Sequence, residues 1–217
     1  MANKITIHKK SWDDISINDY YELVDAMEDA ELQPLDKSVA LLAILCDCAP
    51  DDIYNLPVYE IDKMNSQIGW VRKFDFNKRF KSKHLTIAGK KYSVCVNLQE
   101  MTISQYMDFQ TLWAKNDLRT YWGNILCCFI VPEGKKYCED YDVQALADEF
   151  RDEVPITLAN SVCFFFLKRL LTSIKSTLLF LTIMMKKMGR TENKELKEQM
   201  EAAKKTLYRL QAFLKGR

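Results

Sequence analysis

The C-terminal end constrains the fold of this chain most, because the pattern from Pro155 onward is purely helical and neither proline nor glycine interrupts residues 156–188. Such a stretch predicts one helix of about 50 Å, at a rise of 1.5 Å per residue. Gly189 is well placed to end this helix, and Thr191 is a candidate N-cap for a second one. The sequence therefore predicts a long C-terminal helical hairpin over residues 156–217, packed on the first part of the chain as one unit.

The second of these helices carries a heptad-like apolar seam. Its apolar positions recur at alternating spacings of four and three residues: Leu196, Met200, Ala203, Leu207, Leu210 and Leu214. The other faces of the helix are highly charged. Two interpretations remain open, because such a seam packs either against the preceding helix of the same chain or against another chain.

Residues 162–185 are the only stretch that resembles a membrane span. Lys168, Arg169 and Lys175 interrupt it, and each cation near the centre of a span costs about 2.5–3.5 kcal/mol on an insertion scale. The first ten residues have no continuous apolar region of the kind found in a secretory signal. We therefore expect a buried amphipathic helix, no membrane partner and no export.

Two segments of the N-terminal part resemble each other. Residues 15–23 and 101–109 share an apolar residue, a hydroxyl residue, an isoleucine, two polar residues, a tyrosine and a final large apolar residue. Ser16 and Thr102 are the candidate helix N-caps of these segments. A more apolar stretch that ends at a proline follows each segment. The pattern is compatible with a duplicated helix pair and also with two unrelated helix pairs.

The β signal lies between these segments, at about residues 68–97. Residues 68–80 alternate loosely between apolar and basic, and residues 85–96 are typical of two short strands joined at Gly89. Residues 5–7 are a candidate edge strand. The sequence therefore predicts a mainly α fold, in which a helical core of residues 1–155 contains a small central β-hairpin.

The seven cysteines and two histidines indicate no catalytic or metal chemistry. Cys46 with Cys48, and Cys127 with Cys128, lack the CxxC spacing that lets two thiolates meet on one zinc ion. An odd number of cysteines without an export signal suits a reducing compartment. Nucleotide-binding and metalloprotease motifs are missing from the sequence. We expect core thiols, no cofactor and no enzymatic activity.

A formal net charge of +1 offers no bulk reason to expect a nucleic-acid partner. The exception is a basic segment at residues 72–83, in which cations alternate with phenylalanines as in some single-strand binding surfaces. The same alternation is typical of a solvated strand whose other face is core. Nucleic-acid binding by an accessory protein is therefore kept only as a minor alternative to protein binding.

The order of motifs in the second half carries a family resemblance. NLQEMTISQYMDF at residues 97–109 is followed by LCCFIVPEGKKY at 126–137, YDV at 141–143 and SVCFFFL at 161–167. This order resembles small helical proteins encoded in the tail-morphogenesis regions of tailed bacteriophages of gut Bacteroidetes. Among those proteins, the chain is most similar to the tail assembly chaperones, from residue 11 to about residue 188. The shared motifs are structural, so no catalytic residue is carried over.

The resemblance implies a non-enzymatic role in the cytoplasm of the infected bacterial host. A chaperone of this kind binds the tape measure protein, keeps it soluble and assists assembly of the tail tube around it. The residues that we expect to bind this partner are Leu196, Met200, Leu207, Leu210, Leu214, Met184, Met185 and Met188. Two alternatives stay open: all these side chains are core, or the protein is a structural virion protein, such as a ring or connector subunit that forms a homo-oligomer.

Overall fold

Helices account for most of the part of the chain that the computed structural model describes, which is residues 5–73, 80, 82–97, 100–115, 117–187 and 194–215. The strands are β1 (His84–Ile87), β2 (Lys90–Val94) and β3 (Ile130–Pro132). The helices are α1 (Ile17–Glu28), α2 (Pro34–Cys46), α3 (Pro50–Tyr54), α4 (Val58–Gln67), α5 (Ile103–Ala114), α6 (Leu118–Cys127), α7 (Val143–Glu153), α8 (Ile156–Lys187) and α9 (Lys194–Lys215). The prediction of a mainly α fold with a small central β element is confirmed.

The two similar segments of the sequence begin α1 and α5 with the same cap. The Ser16 hydroxyl accepts a hydrogen bond from the Asp19 amide, and the Asp19 carboxylate accepts one from the Ser16 amide, each at 3.1 Å. Thr102 and Gln105 repeat this reciprocal pair at 3.2 and 2.9 Å. Each capping box satisfies two amides that would otherwise lack helical partners. Both predicted N-caps are confirmed.

The sheet is antiparallel and has the order β1-β2-β3. Ala88 and Gly89 connect β1 to β2 with φ values of 47° and 75°, and a two-residue turn with both φ angles positive matches the twist of a hairpin. The predicted hairpin at Gly89 is therefore confirmed. Tyr92 in the central strand is buried and packs edge-on against Phe150 of α7, with ring centroids 5.3 Å apart.

The other strand predictions are wrong or lie outside the described residues. The third strand is Ile130–Pro132 and not residues 5–7, which form no strand. Instead, the His8 and Lys9 amides that follow residues 5–7 donate hydrogen bonds to the Leu45 carbonyl at the end of α2. Gly69–Arg72 forms a 3₁₀ turn rather than extended chain, and residues 74–79 lie outside the described part.

The chain divides into two compact units, residues 1–162 and residues 163–217. The boundary falls inside α8, which runs unbroken from Ile156 to Lys187 as the sequence predicts. The long final helix α9 follows, so the C-terminal end agrees with the predicted helical hairpin. Gly189 and Thr191, the predicted end and cap, lie outside the described residues. Packing of the hairpin on the first part of the chain stays a prediction.

Candidate partner-binding surface

Three of the six cysteines of the first unit are core side chains, whereas Cys48 and Cys95 are half-buried and Cys138 is exposed, contrary to the expectation of core thiols. Cys46, Cys127 and Cys128 are buried, and all seven cysteines are free of disulfides. Burial raises the pKa of Cys46 to about 11 and the pKa of Cys128 to about 12. A protonated thiol is a poor nucleophile and a poor metal ligand. Within the described residues, no three His, Cys, Asp or Glu side chains converge as metal ligands.

Cysteine reactivity tests this burial directly. We expect Cys138, the exposed cysteine, to react with iodoacetamide at neutral pH well before Cys46, Cys127 and Cys128. A buried thiol reacts only when the structure around it opens locally. If that opening costs about 2.8 kcal/mol, the thiol reacts about a hundredfold more slowly than an exposed one. Mass spectrometry of a time course measures the order, and Cys138→Ser is expected to remove the fast phase alone. Early labelling of Cys127 would contradict the buried assignment.

A cavity of about 540 Å³ in the first unit is lined mainly by carboxylates. Its one cation is Lys9, whose Nζ lies 3.0 Å from an Asp19 carboxylate oxygen, also contacts Asp47, and donates to the Ile44 carbonyl at 3.1 Å. Burial alone would lower the pKa of Lys9, but the hydrogen bonds to Asp47 and Asp19 outweigh it, and the net pKa is raised. This cluster holds the N-terminal segment against α1 and α2, which is a structural role.

The structure describes only part of the predicted partner-binding seam. Met200, Ala203 and Leu207 are half-buried along one face of α9. For five of the other predicted residues the structure describes the helix backbone but not the side chain, and these are Leu196, Leu210, Leu214, Met184 and Met185. Met188 lies outside the described residues. The role of all these residues in partner binding stays a prediction.

The first half of α8 has an inner apolar face and an outer basic face. Cys163, Phe166, Leu167 and Leu170 are buried. On the outer side, Lys168 lies over the Phe164 ring at 4.7 Å, and Arg169 lies over the Phe165 ring at 5.3 Å. Cations over aromatic faces cover apolar surface while the charge stays in water. This part of the helix agrees with the predicted buried amphipathic helix.

The second half of α8 is different, because it exposes large apolar side chains. Leu179, Phe180 and Ile183 are 64, 60 and 43% exposed. We call these three residues the α8 patch. Leu179 and Ile183 are four residues apart and therefore share one helix face. Adjacent large apolar side chains that remain in water mark interaction surfaces.

The hydroxyl side chains on the outer side of α8 are satisfied by the helix itself. Thr172, Ser176 and Thr177 each donate to the carbonyl four residues earlier, at 3.0, 3.1 and 3.1 Å. Hydroxyls bonded in this way require no polar partner.

Sequence reasoning missed the α8 patch, although a signal for it exists. Leu167, Leu171, Ile174 and Leu178 recur at spacings of four, three and four residues and account for one apolar stripe. Leu179 and Ile183 lie outside that stripe on a helical projection. An apolar pair that does not fit the main stripe of a helix indicates a second apolar face.

A membrane and a nucleic acid are the two other partner classes to consider. Within the described residues, no helix combines the length and apolar character of a membrane span. Of the basic segment at residues 72–83, Arg72, Lys73 and Lys83 are exposed but Phe80 is buried, so the Phe80 ring is not available to stack on a base. No known protein family, curated protein or solved structure matches the chain.

Proposed function

We propose that this protein is a tail assembly chaperone of a tailed bacteriophage, which binds the tape measure protein in the cytoplasm of the infected host and performs no chemistry of its own. The observation that carries the proposal is the α8 patch, whose large apolar side chains are solvent-exposed in the second unit. The motif order of residues 97–167 supplies the family to which the proposal refers.

The α8 patch suits an amphipathic helix of a long client. Helices bind to such surfaces through apolar side chains at positions i, i+3, i+4 and i+7. Fully burying one Leu, Ile or Phe side chain contributes about 1.5–3 kcal/mol, and those of the patch are already partly covered. The patch alone therefore supports a contact of about 4 kcal/mol, which corresponds to a millimolar Kd.

Millimolar contacts are useful to a chaperone only when several act together. A long client offers many amphipathic helices, and several linked weak contacts raise the overall affinity by orders of magnitude while each one still releases quickly. The half-buried Met200 and Leu207 of α9 are the candidates for additional contacts in the same unit. Methionine adapts to varied partners because its side chain is unbranched and flexible.

Co-expression in a bacterial host tests the proposal. The full chain is produced with the tape measure protein encoded by the same genome, and the soluble fraction of the client and its co-elution with the chain are measured. Leu179→Asp with Ile183→Asp is expected to reduce co-elution about a hundredfold, because about 3 kcal/mol of apolar contact is lost. The matched control is Thr172→Asp with Ser176→Asp, which adds the same charges on the same side of α8 and is expected to retain the client.

Three results would contradict the proposal. Both double variants could retain the client equally, or both could lose it, and neither result would assign the client to the α8 patch. The chain could also form a closed ring on its own by light scattering and enter purified virions, which favours the alternative of a ring or connector subunit. Helix content by circular dichroism is measured for each variant, so that a failure to fold is not counted as a loss of binding.

A further inference from the structure

The two similar helices α1 and α5 differ in what covers them. Ile17 is the first residue of α1 and Ile103 is the first residue of α5, and both follow a capping box. Ile17 is fully buried, whereas Ile103 is 83% exposed. Because both helices begin with isoleucine after the same kind of cap, the difference lies in the packing around each helix.

In the first unit, α7 and the chain that follows it cover the start of α1. The Asn18 side chain donates to the Asp152 carboxylate at 2.6 Å and accepts from Arg151 Nε at 3.1 Å. The Ile156 amide then donates to the Ile15 carbonyl at 2.8 Å, where Ser16 and Pro155 form an isolated antiparallel bridge. Helix α7 and the extended segment that follows it therefore bury the start of this face of α1.

Arg119 of α6 contacts the next turn of the same face of α1. Its guanidinium donates to the Asp25 carboxylate at 2.7 Å and lies over the Tyr21 ring at 5.4 Å. The covered face of α1 thus consists of the buried Ile17 and the half-buried Asn18 and Tyr21, and the exposed Asp25 marks its far end. These positions follow one another at spacings that keep them on one side of a helix.

The equivalent positions of α5, each 86 residues later, are Ile103, Ser104, Met107 and Thr111, and all four are exposed. We call these four residues the open face of α5. The opposite face of α5 is anchored, because Gln105 and Phe109 are buried and the Gln105 amide donates to the Cys128 carbonyl at 3.2 Å. The open face therefore belongs to a firmly packed helix.

Charge distinguishes the open face from an ordinary solvated face. The one charged side chain within α5 is Asp108, whereas α1 presents Glu22 and Glu28 to water. Solvated helix faces are normally charged, and depletion of charge is typical of the centre of a protein interface. The open face combines this depletion with the exposed apolar side chains Ile103 and Met107.

We propose that the open face of α5 binds an amphipathic helix of another protein, in the way that α7 binds α1. The contacting stripe of that helix is apolar, and its flanks are basic, because the exposed carboxylates Glu100 and Asp108 border the open face. A two-fold contact between two α5 helices centred on Met107 would bring the Asp108 carboxylates of both copies close together, so a second copy is the poorer occupant. The inference rests on the different exposure of the similarly capped helices α1 and α5 and is independent of the proposed function.

The probe is a synthetic amphipathic peptide of about 18 residues, with leucines at helical spacing and lysines on its flanks. Its binding to the full chain is measured by fluorescence anisotropy, with Leu179→Asp and Ile183→Asp present throughout so that the α8 patch does not contribute. Ile103→Asp with Met107→Asp is expected to weaken binding about a hundredfold. The matched control Val58→Asp with Tyr59→Asp adds the same two charges at exposed residues of α4 and is expected to leave the Kd unchanged.

A second peptide carries glutamates in place of the lysines and is expected to bind at least about tenfold more weakly. Equal binding of the two peptides, or equal effects of the α5 and α4 substitutions, would overturn the inference. A chain that is dimeric by light scattering and becomes monomeric with the α5 substitutions would assign the open face to a second copy instead. If the chain binds the lysine-flanked peptide through α5 but does not bind the tape measure protein, this inference stands and the proposed function fails.

Discussion

Replacing Gly123 with alanine is expected to destabilise the first unit by about 2–4 kcal/mol. A Cβ atom at this position of α6 would lie 2.1 Å from the Ala147 carbonyl oxygen of α7 and 2.9 Å from its carbonyl carbon. Both are backbone atoms, so α6 and α7 must separate by about 1 Å to relieve the contact. Overpacking of this kind costs more than the roughly 1 kcal/mol that alanine gains over glycine in a helix.

Urea denaturation followed by tryptophan emission measures this effect, because all four tryptophans lie in the first unit. The matched control is Gly69→Ala, since nothing lies within 4 Å of a Cβ at Gly69. We expect Gly69→Ala to change the free energy of unfolding by no more than about 0.5 kcal/mol. A Gly123→Ala variant as stable as the parent protein would show that α6 and α7 do not approach this closely.

Local chemistry explains which parts of the fold were predictable. Ser16 and Thr102 cap their helices through residues only three positions away, so the sequence contains the whole interaction. The hairpin turn at Gly89 depends on two adjacent residues with positive φ. The length of α8 follows from a helical pattern that continues without interruption between Pro155 and Gly189. Each of these features can be predicted without knowledge of the rest of the fold.

Non-local pairing explains the errors. Strand β3 exists because Ser93 and Val94 of β2 pair with Val131 and Ile130, which are more than 30 residues away. In the sequence, this strand is the end of an apolar stretch that resembles a helix. Residues 5–7 have a better strand composition, yet the hydrogen bonds that follow them go to the end of α2. Strand propensity indicates that a residue suits a sheet and does not identify its partner.

The candidate surfaces show the same limit. The heptad-like seam of α9 is visible in the sequence because its periodicity is regular, but periodicity does not distinguish a core face from an exposed one. The α8 patch and the open face of α5 are exposed because no other described element packs over them, and the local sequence does not contain that information. Ile17 and Ile103 occupy equivalent positions in similar segments, and only the folded chain distinguishes them.

Alanine substitutions at these two isoleucines are expected to have very different effects. Ile17→Ala removes a fully buried side chain between α1 and the elements that cover it, and should destabilise the first unit by about 3–4 kcal/mol. Ile103→Ala removes a side chain that lies in water, and alanine is the better helix former, so we expect a change of less than about 0.5 kcal/mol in either direction. Urea denaturation followed by tryptophan emission measures both.

The bound state makes the comparison informative about function. If a partner helix covers the open face of α5 as α7 covers α1, Ile103 acquires in the complex the environment that Ile17 has in the free chain. Ile103→Ala should then weaken binding of the lysine-flanked peptide by about 1–2 kcal/mol, or about tenfold, while leaving the stability of the free protein unchanged. Comparable losses of free-chain stability for both substitutions would mean that Ile103 is already buried, and the face would then have no place for a partner.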